Sequence, residues 1–169
     1  MMLTTLLHDL SRPEYIHVLI NPLPVYGLAM GCLGLVVAVL LRSRRAQIAT
    51  LAIILVTAAS AWPVKEFGEQ AYDRVLSMTD ADGEAWLKVH EHRADQLIYV
   101  FYALAALAVA AILVPIKWPR TATMLAVAAL ILGVVTLGAG GYIAYAGGKV
   151  RHREFRYQTP PVESETESR

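Results

Sequence analysis

Apolar positions in this chain come in long unbroken runs, and polar positions collect in the gaps between them. Neither the alternation of a half-buried strand nor the narrow stripe of a surface helix organises these runs. Crossing ~30 Å of hydrocarbon takes about 20 mostly apolar residues at about 1.5 Å per residue. Four runs qualify: residues 23–41, 46–64, 97–116 and 121–148, closed by Arg42, Lys65, Lys117 and Lys149 respectively. Hydrocarbon cannot satisfy backbone hydrogen bonds, and barrel strands would alternate, so the runs predict helices. Asn21 and Pro22 read as the N-cap and first-turn proline of the first span. The linkers 42–45 and 117–120 are short, which makes their flanking helices antiparallel neighbours. The predicted architecture is all-α: an integral membrane, up-down bundle of four transmembrane helices over 21–148.

The segments outside the spans are expected to be simpler. Residues 1–20 form an N-terminal segment, with Leu3, Leu6, Leu7 and Leu10 sharing one face of an interfacial helix. Residues 65–93 form a charged outer loop with a helical turn after span two and a tip at 79–83. Residues 149–169 form a polar tail, disordered from about 160 for lack of core-forming residues. Gly27 with Gly31 in span one, and Gly138, Gly140 and Gly141 in span four, are places where helix backbones can come close.

Composition and charge sharpen this picture. Charged residues make up 17% of the 169-residue chain, against about 25% in ordinary soluble domains, which excludes a disordered chain and a typical soluble enzyme. A net charge of +1 supplies no basic face for nucleic acid. The single cysteine, Cys32, cannot form an internal disulfide, and no Cys-x-x-Cys-His attaches a c-type haem. The two short linkers carry Arg42, Arg44, Arg45, Lys117 and Arg120 and no acid. The positive-inside rule makes that side cytoplasmic. Both termini and the loop 65–93 then face outward from a bacterial inner membrane, although Lys149, Arg151, Arg153 and Arg156 in the tail oppose this orientation.

Candidate chemistry lies on one side. His8 and His17 precede span one, His90 and His92 precede span three, and His152 follows span four. Glu66 and Glu69 follow span two, Glu91 and Asp95 open span three, and Glu154 follows His152. All four helix ends can therefore bring imidazole or carboxylate to the outer mouth of the bundle. Imidazole with carboxylate suits a transition metal, and two histidines on separate helices suit the axial positions of a b-type haem. His90 and His92 are two residues apart and point to different faces of a helix, so they do not share one metal. Asp95, Tyr99 and Tyr102 form a stripe into span three, either a polar path or, more in keeping with tyrosine at an interface, a set of anchors. No ionisable residue sits near a membrane midplane, which argues against a transporter.

Three motifs carry a family resemblance: His17-Val-Leu-Ile-Asn21-Pro-Leu-Pro24, His90-Glu91, and Gly147-Gly-Lys-Val-Arg-His152-Arg-Glu154. Together, over roughly 15–156, they resemble a family of small bacterial four-helix membrane proteins catalogued as a domain of unknown function (number 2231). Two positions depart from the family pattern. Pro22 stands where many relatives have a second histidine, and Lys65-Glu66-Phe67 stands where they have Gly-Glu-Pro. The resemblance implies a membrane module that accompanies cytochrome-type domains. It points to His17, Glu66, His90, Glu91, His152 and Glu154 as site residues.

Two functions follow as expectations. In the first, His17, His90 and His152, with Glu66, Glu91 and Glu154, hold a transition metal or b-type haem for electron transfer or metal handling, with a redox partner or larger membrane complex. In the second, the same residues form a polar clasp in a non-catalytic accessory subunit. Neither expectation includes hydrolysis, and the lipid bilayer is a partner in both.

Overall fold

A computed structural model describes residues 7–160, and the described residues are all-helical. Four helical rods, each long and apolar enough to cross a membrane, run Pro13–Leu40, Arg44–Leu76, Ala81–Lys117 and Pro119–Arg151. The first comprises α1 (Pro13–Ile20), a π turn (Leu23–Gly27) and α2 (Leu28–Leu40). The second comprises α3 (Arg44–Ala59) and α4 (Ala61–Leu76), the third is α5 (Ala81–Lys117), and the fourth is α6 (Ala122–Arg151) after a 3-10 turn at Pro119–Thr121. Each rod packs on its two neighbours in the cycle one, two, three, four, and the first and third lie diagonally opposed. This is the up-down bundle that the apolar pattern predicts.

Proline and glycine decide its local shape. Asn21 and Pro22 do not start the first helix. Asn21 is helical and donates its N–H to the His17 carbonyl (2.9 Å), so the rod runs on through both residues. Pro22 and Pro24 lack amide donors, and the helix widens into the π turn over Leu23–Gly27, while Tyr26 N–H keeps the α-type bond to the Pro22 carbonyl at 2.8 Å. Pro63 likewise leaves the Ala59 carbonyl without its helical donor, where α3 meets α4 at Ser60. Pro115 does the same to Ala111, and here Arg44 intervenes, donating to the carbonyls of Ala111 (3.0 Å) and Ile112 (2.9 Å). That cation ties the first hairpin to the second at the basic end.

The hairpin turn at the basic end closes through backbone. Ser43 N–H bonds the Ala38 carbonyl and Arg42 N–H the Val39 carbonyl, the paired bonds of a Schellman motif. This places Arg42 at φ 51°, a conformation that favours glycine. Along the hairpin, a Cβ on Gly27 would lie 2.6 Å from Thr57, one on Gly31 2.9 Å from Ile54, and one on Gly34 2.8 Å from Thr50. The glycines of span one therefore serve close packing of α2 on α3. In span four Gly140 packs on Val25 and Phe101, whereas Gly138 and Gly141 meet nothing within 4 Å.

Leu28, Leu35, Leu51, Ile54 and Leu104 are fully buried in the core, with alanines of α5 and α6 between them. Large apolar side chains point the other way around the rods, including Val56 (66% exposed) and Ile116 (77% exposed). An outward apolar belt of this extent is what a lipid solvent accommodates and water does not.

Charge marks the end of the apolar runs but not the end of the helices. Where the pattern predicts an outer loop at 65–93, α4 continues to Leu76 and α5 begins at Ala81, leaving a turn at 77–80. Glu, Gln, Lys, Arg and Ala in this stretch are good helix formers, and Asp80 caps α5 by accepting from Gly83 N–H at 2.9 Å. A helix of 37 residues is about 55 Å long, well beyond ~30 Å of hydrocarbon, so the hairpin projects past the membrane boundary. There α5 and α6 form an outer core of Trp86, Leu87, Val89, Ala146 and Val150, against which Tyr72, Val75 and Leu76 of α4 pack. The polar tail expected over 149–169 also begins later: α6 includes Lys149, which is 2% exposed, and residues 153–155 form a 3-10 turn. Residues 1–6 and 161–169 lie outside the described residues, and with them the Leu3 and Leu6 of the expected interfacial helix and nearly all of the expected disordered tail. Within 1–20, Pro13–Ile20 is a helix that packs on α4 and leads into the first span.

Candidate functional site

Two of the predicted histidines occupy equivalent seats. On the first hairpin, His17 of α1 donates from Nδ1 to the Val64 carbonyl of α4 (2.8 Å), and its ring lies against Gly68, where a Cβ would come within 3.0 Å. On the second, His90 of α5 donates from Nδ1 to the Ile143 carbonyl of α6 (3.0 Å), and its ring lies against Gly147, again at 3.0 Å. In both, the glycine follows the accepting residue by four positions. The geometry explains the interval. A helical carbonyl points toward the amide four residues on, and a side chain there would cover its second lone pair. With glycine at that position, an imidazole from the neighbouring helix can lie over the bare backbone and reach the carbonyl.

This arrangement fixes the imidazole tautomer. A carbonyl only accepts, so Nδ1 carries the proton in each neutral ring and Nε2 carries the lone pair. The same pattern, one ring nitrogen held by a backbone carbonyl and the other presented, is that of a metal-ligating histidine. The two histidines stand on diagonally opposed rods.

The second seat is more heavily covered than the first. Trp86, His90 and Arg93 follow one another at spacings of four and three and share a face of α5. Arg93 is buried, donates to the Tyr142 carbonyl (2.9 Å) and lies 3.6 Å above the Tyr142 ring. Lys149 sits 4.2 Å from the centroids of both Trp86 and Tyr145. Above these, Arg156 folds back from the tail. It donates to Asp80 at 2.7 and 3.0 Å and to the carbonyls of Lys149 and Val150, so the tail is clipped to the turn at 77–80. Hydrogen bonding from Arg156, with a bond from the Gly83 N–H, holds the Asp80 carboxyl below its usual range.

Three of the other predicted ligands, Glu66, His152 and Glu154, pair outside the seats. Glu66 accepts from Gln70 at 2.9 Å. His152 is exposed, donates to Glu154 at 2.9 Å and stacks on Phe155, outside the seats. Glu154 is held below the usual carboxylate range by its own backbone N–H and by His152. His8 contacts Arg12, and His92 is exposed. Glu91 makes its own interactions. Among the described residues no three of His, Cys, Asp and Glu gather where one metal ion could be held by all. The predicted mixed cluster of His17, Glu66, His90, Glu91, His152 and Glu154 is therefore not assembled. What the two hairpins have in common is one carbonyl-anchored imidazole each, a nitrogen donor of the kind that suits a haem axial position or an ion favouring nitrogen.

Gly68, Gly147, Arg93 and Lys149 shape the seats and were not legible as site residues. The available signal was a glycine near the histidine end of each hairpin's second rod, Gly68 in one and Gly147 of the Gly147–Glu154 motif in the other. The Asp95–Tyr99–Tyr102 stripe faces outward, with Tyr99 70% exposed, so it does not enter the bundle interior. In comparison with known proteins, no family model, curated protein or solved structure matches this chain.

Proposed function

We infer that this chain is a membrane-embedded histidine module for electron transfer or metal handling, with Nε2 of His17 and Nε2 of His90 as its ligand atoms. The observation that carries this reading is the repeated seat: imidazole, accepting carbonyl and glycine, once per hairpin. A pair of neutral imidazoles fits a b-type haem or a nitrogen-preferring transition metal better than a hard cation, because the carboxylates lie elsewhere. Such a group supplies reversible one-electron chemistry when bound. The chain's own residues present the two nitrogens in one tautomer and cover the His90 side with Arg93, Lys149 and Trp86. The proposed setting is the bacterial inner membrane with the histidine end outside, following the basic linkers. The partner is a redox protein or a larger membrane complex, and the motif resemblance to cytochrome-associated modules supports the same setting.

Visible absorption and elemental analysis of detergent-purified protein test this. The expected result is a Soret band or a stoichiometric metal, lost in both His17→Ala and His90→Ala. Purified protein with neither chromophore nor metal refutes it.

One observation favours the second reading, an accessory subunit with a polar clasp: each imidazole already bonds across its own hairpin. That reading expects the same two variants to lose thermal stability, by about 1–2 kcal/mol each, with no cofactor signal to lose.

A further inference from the structure

A groove of about 210 Å³ opens between the first turns of α4 and the middle of α5, on the outer surface of the bundle. It lies where the apolar runs 46–64 and 97–116 meet charged sequence, which is headgroup depth in a bilayer. Its walls are aromatic. Trp62 comes from one helix, and Tyr99 and Tyr102 come from the other, their rings perpendicular with centroids 6.2 Å apart. Its polar side carries an excess of acid. Lys65 is bonded to Glu69 and, at 2.9 Å, to Asp95, so two carboxylates already meet its charge. Glu66 adds a third carboxylate, which accepts from the neutral amide of Gln70 and meets no cation in an ion pair among the described residues.

Aromatic faces beside unneutralised carboxylates select a cation, and ammonium groups are what such boxes bind. The volume takes a headgroup and not a whole lipid. Below the groove, Tyr102, Val109 and Leu113 continue one exposed face of α5 into the span, a track for an acyl chain.

We propose that this groove binds the ammonium of a phosphatidylethanolamine headgroup. Its aromatic walls face the ammonium and Glu66 supplies the counter-charge. The site does not depend on the histidine module, and neither outcome there bears on it.

Full-length protein is equilibrated with mixed micelles holding equal amounts of phosphatidylethanolamine and phosphatidylglycerol, and the retained lipid is counted by native mass spectrometry. The expected result is a preference for the ethanolamine lipid of about three- to tenfold, from cation–π and charge contributions. Glu66→Gln, which removes charge at constant shape, brings the ratio close to parity, as does Trp62→Leu. Trp118→Leu, at the opposite end of the bundle, leaves the ratio unchanged. Loss of the preference in either groove variant supports the site. Equal retention in the unmodified protein, a preference for the anionic lipid, or a preference that survives both groove variants overturns it.

Discussion

Around His17 the seat is made by α1, an eight-residue helix with no buried residue, lying against α4 beside the π turn. Around His90 it is made by helices of 37 and 30 residues, with Trp86, Arg93 and Lys149 a turn away on the same helices and the Asp80–Arg156 clip beyond them at the helix ends. The bonds and glycine intervals are the same; what differs is what holds each pair of helices together. Close packing of a ring on a bare backbone needs only glycine and a carbonyl. Keeping that geometry under load needs a core, and the buried residues of the outer core come from α5 and α6, with Tyr72, Val75 and Leu76 of α4 packed against them. The first seat is therefore the compliant one and the second the rigid one.

The largest test of this difference is overpacking. Gly147→Leu is expected to lower stability by about 3 kcal/mol, near the top of the range for overpacked sites, because the His90 ring has nowhere to go. Gly68→Leu is expected to cost about 1 kcal/mol, because α1 can shift outward. Thermal unfolding of both variants in one detergent measures the gap, and equal losses would remove the distinction between the seats.

Acid should act on the rigid side through the Asp80 clip. The Asp80 carboxyl is held below its usual range by Arg156, so its contribution is complete above about pH 4 and is lost as pH falls further. Amide exchange at residues 80–84 and 152–157 is expected to speed up below that pH. Asp80→Asn is expected to show the fast exchange at all pH values. Acid-insensitive exchange in the unmodified protein would show that the clip contributes nothing to the second seat.

The smallest effect is expected at the basic end, which lacks histidine seats and closes through backbone. Arg42→Gly relieves the left-handed conformation and should stabilise by about 1 kcal/mol or less, with no change at either seat. A lower unfolding temperature in this variant would mean that the Arg42 side chain does more than complete the turn.

Much of the fold could be read in advance because the solvent imposes it. A bilayer demands uninterrupted apolar helices of a set length, and residues 23–41, 46–64, 97–116 and 121–148 announce them. Helix ends were less legible: hydropathy reports the membrane edge, whereas Glu69, Gln70, Arg74 and Lys88 continue helices happily in water. The histidine end was identifiable from the placement of His17 and His90, but membership of the site was not. Glu66 and Glu91 sit within two residues of a seat and still face differently, because level along a helix is set by residue number and facing by rotation about its axis, whereas His152 and Glu154 fall past the end of α6 at Arg151.

The sequence by itself determined that four apolar helices form, that they alternate in direction, and that all five histidines fall at one end. Those outcomes depend on local composition and on linkers too short to allow anything else. Only the tertiary structure decided that His17 meets Val64 and Gly68 while His90 meets Ile143 and Gly147. Those pairings span 47 and 53 residues along the chain and depend on the rotation and register of packed helices, quantities that no local run of residues encodes.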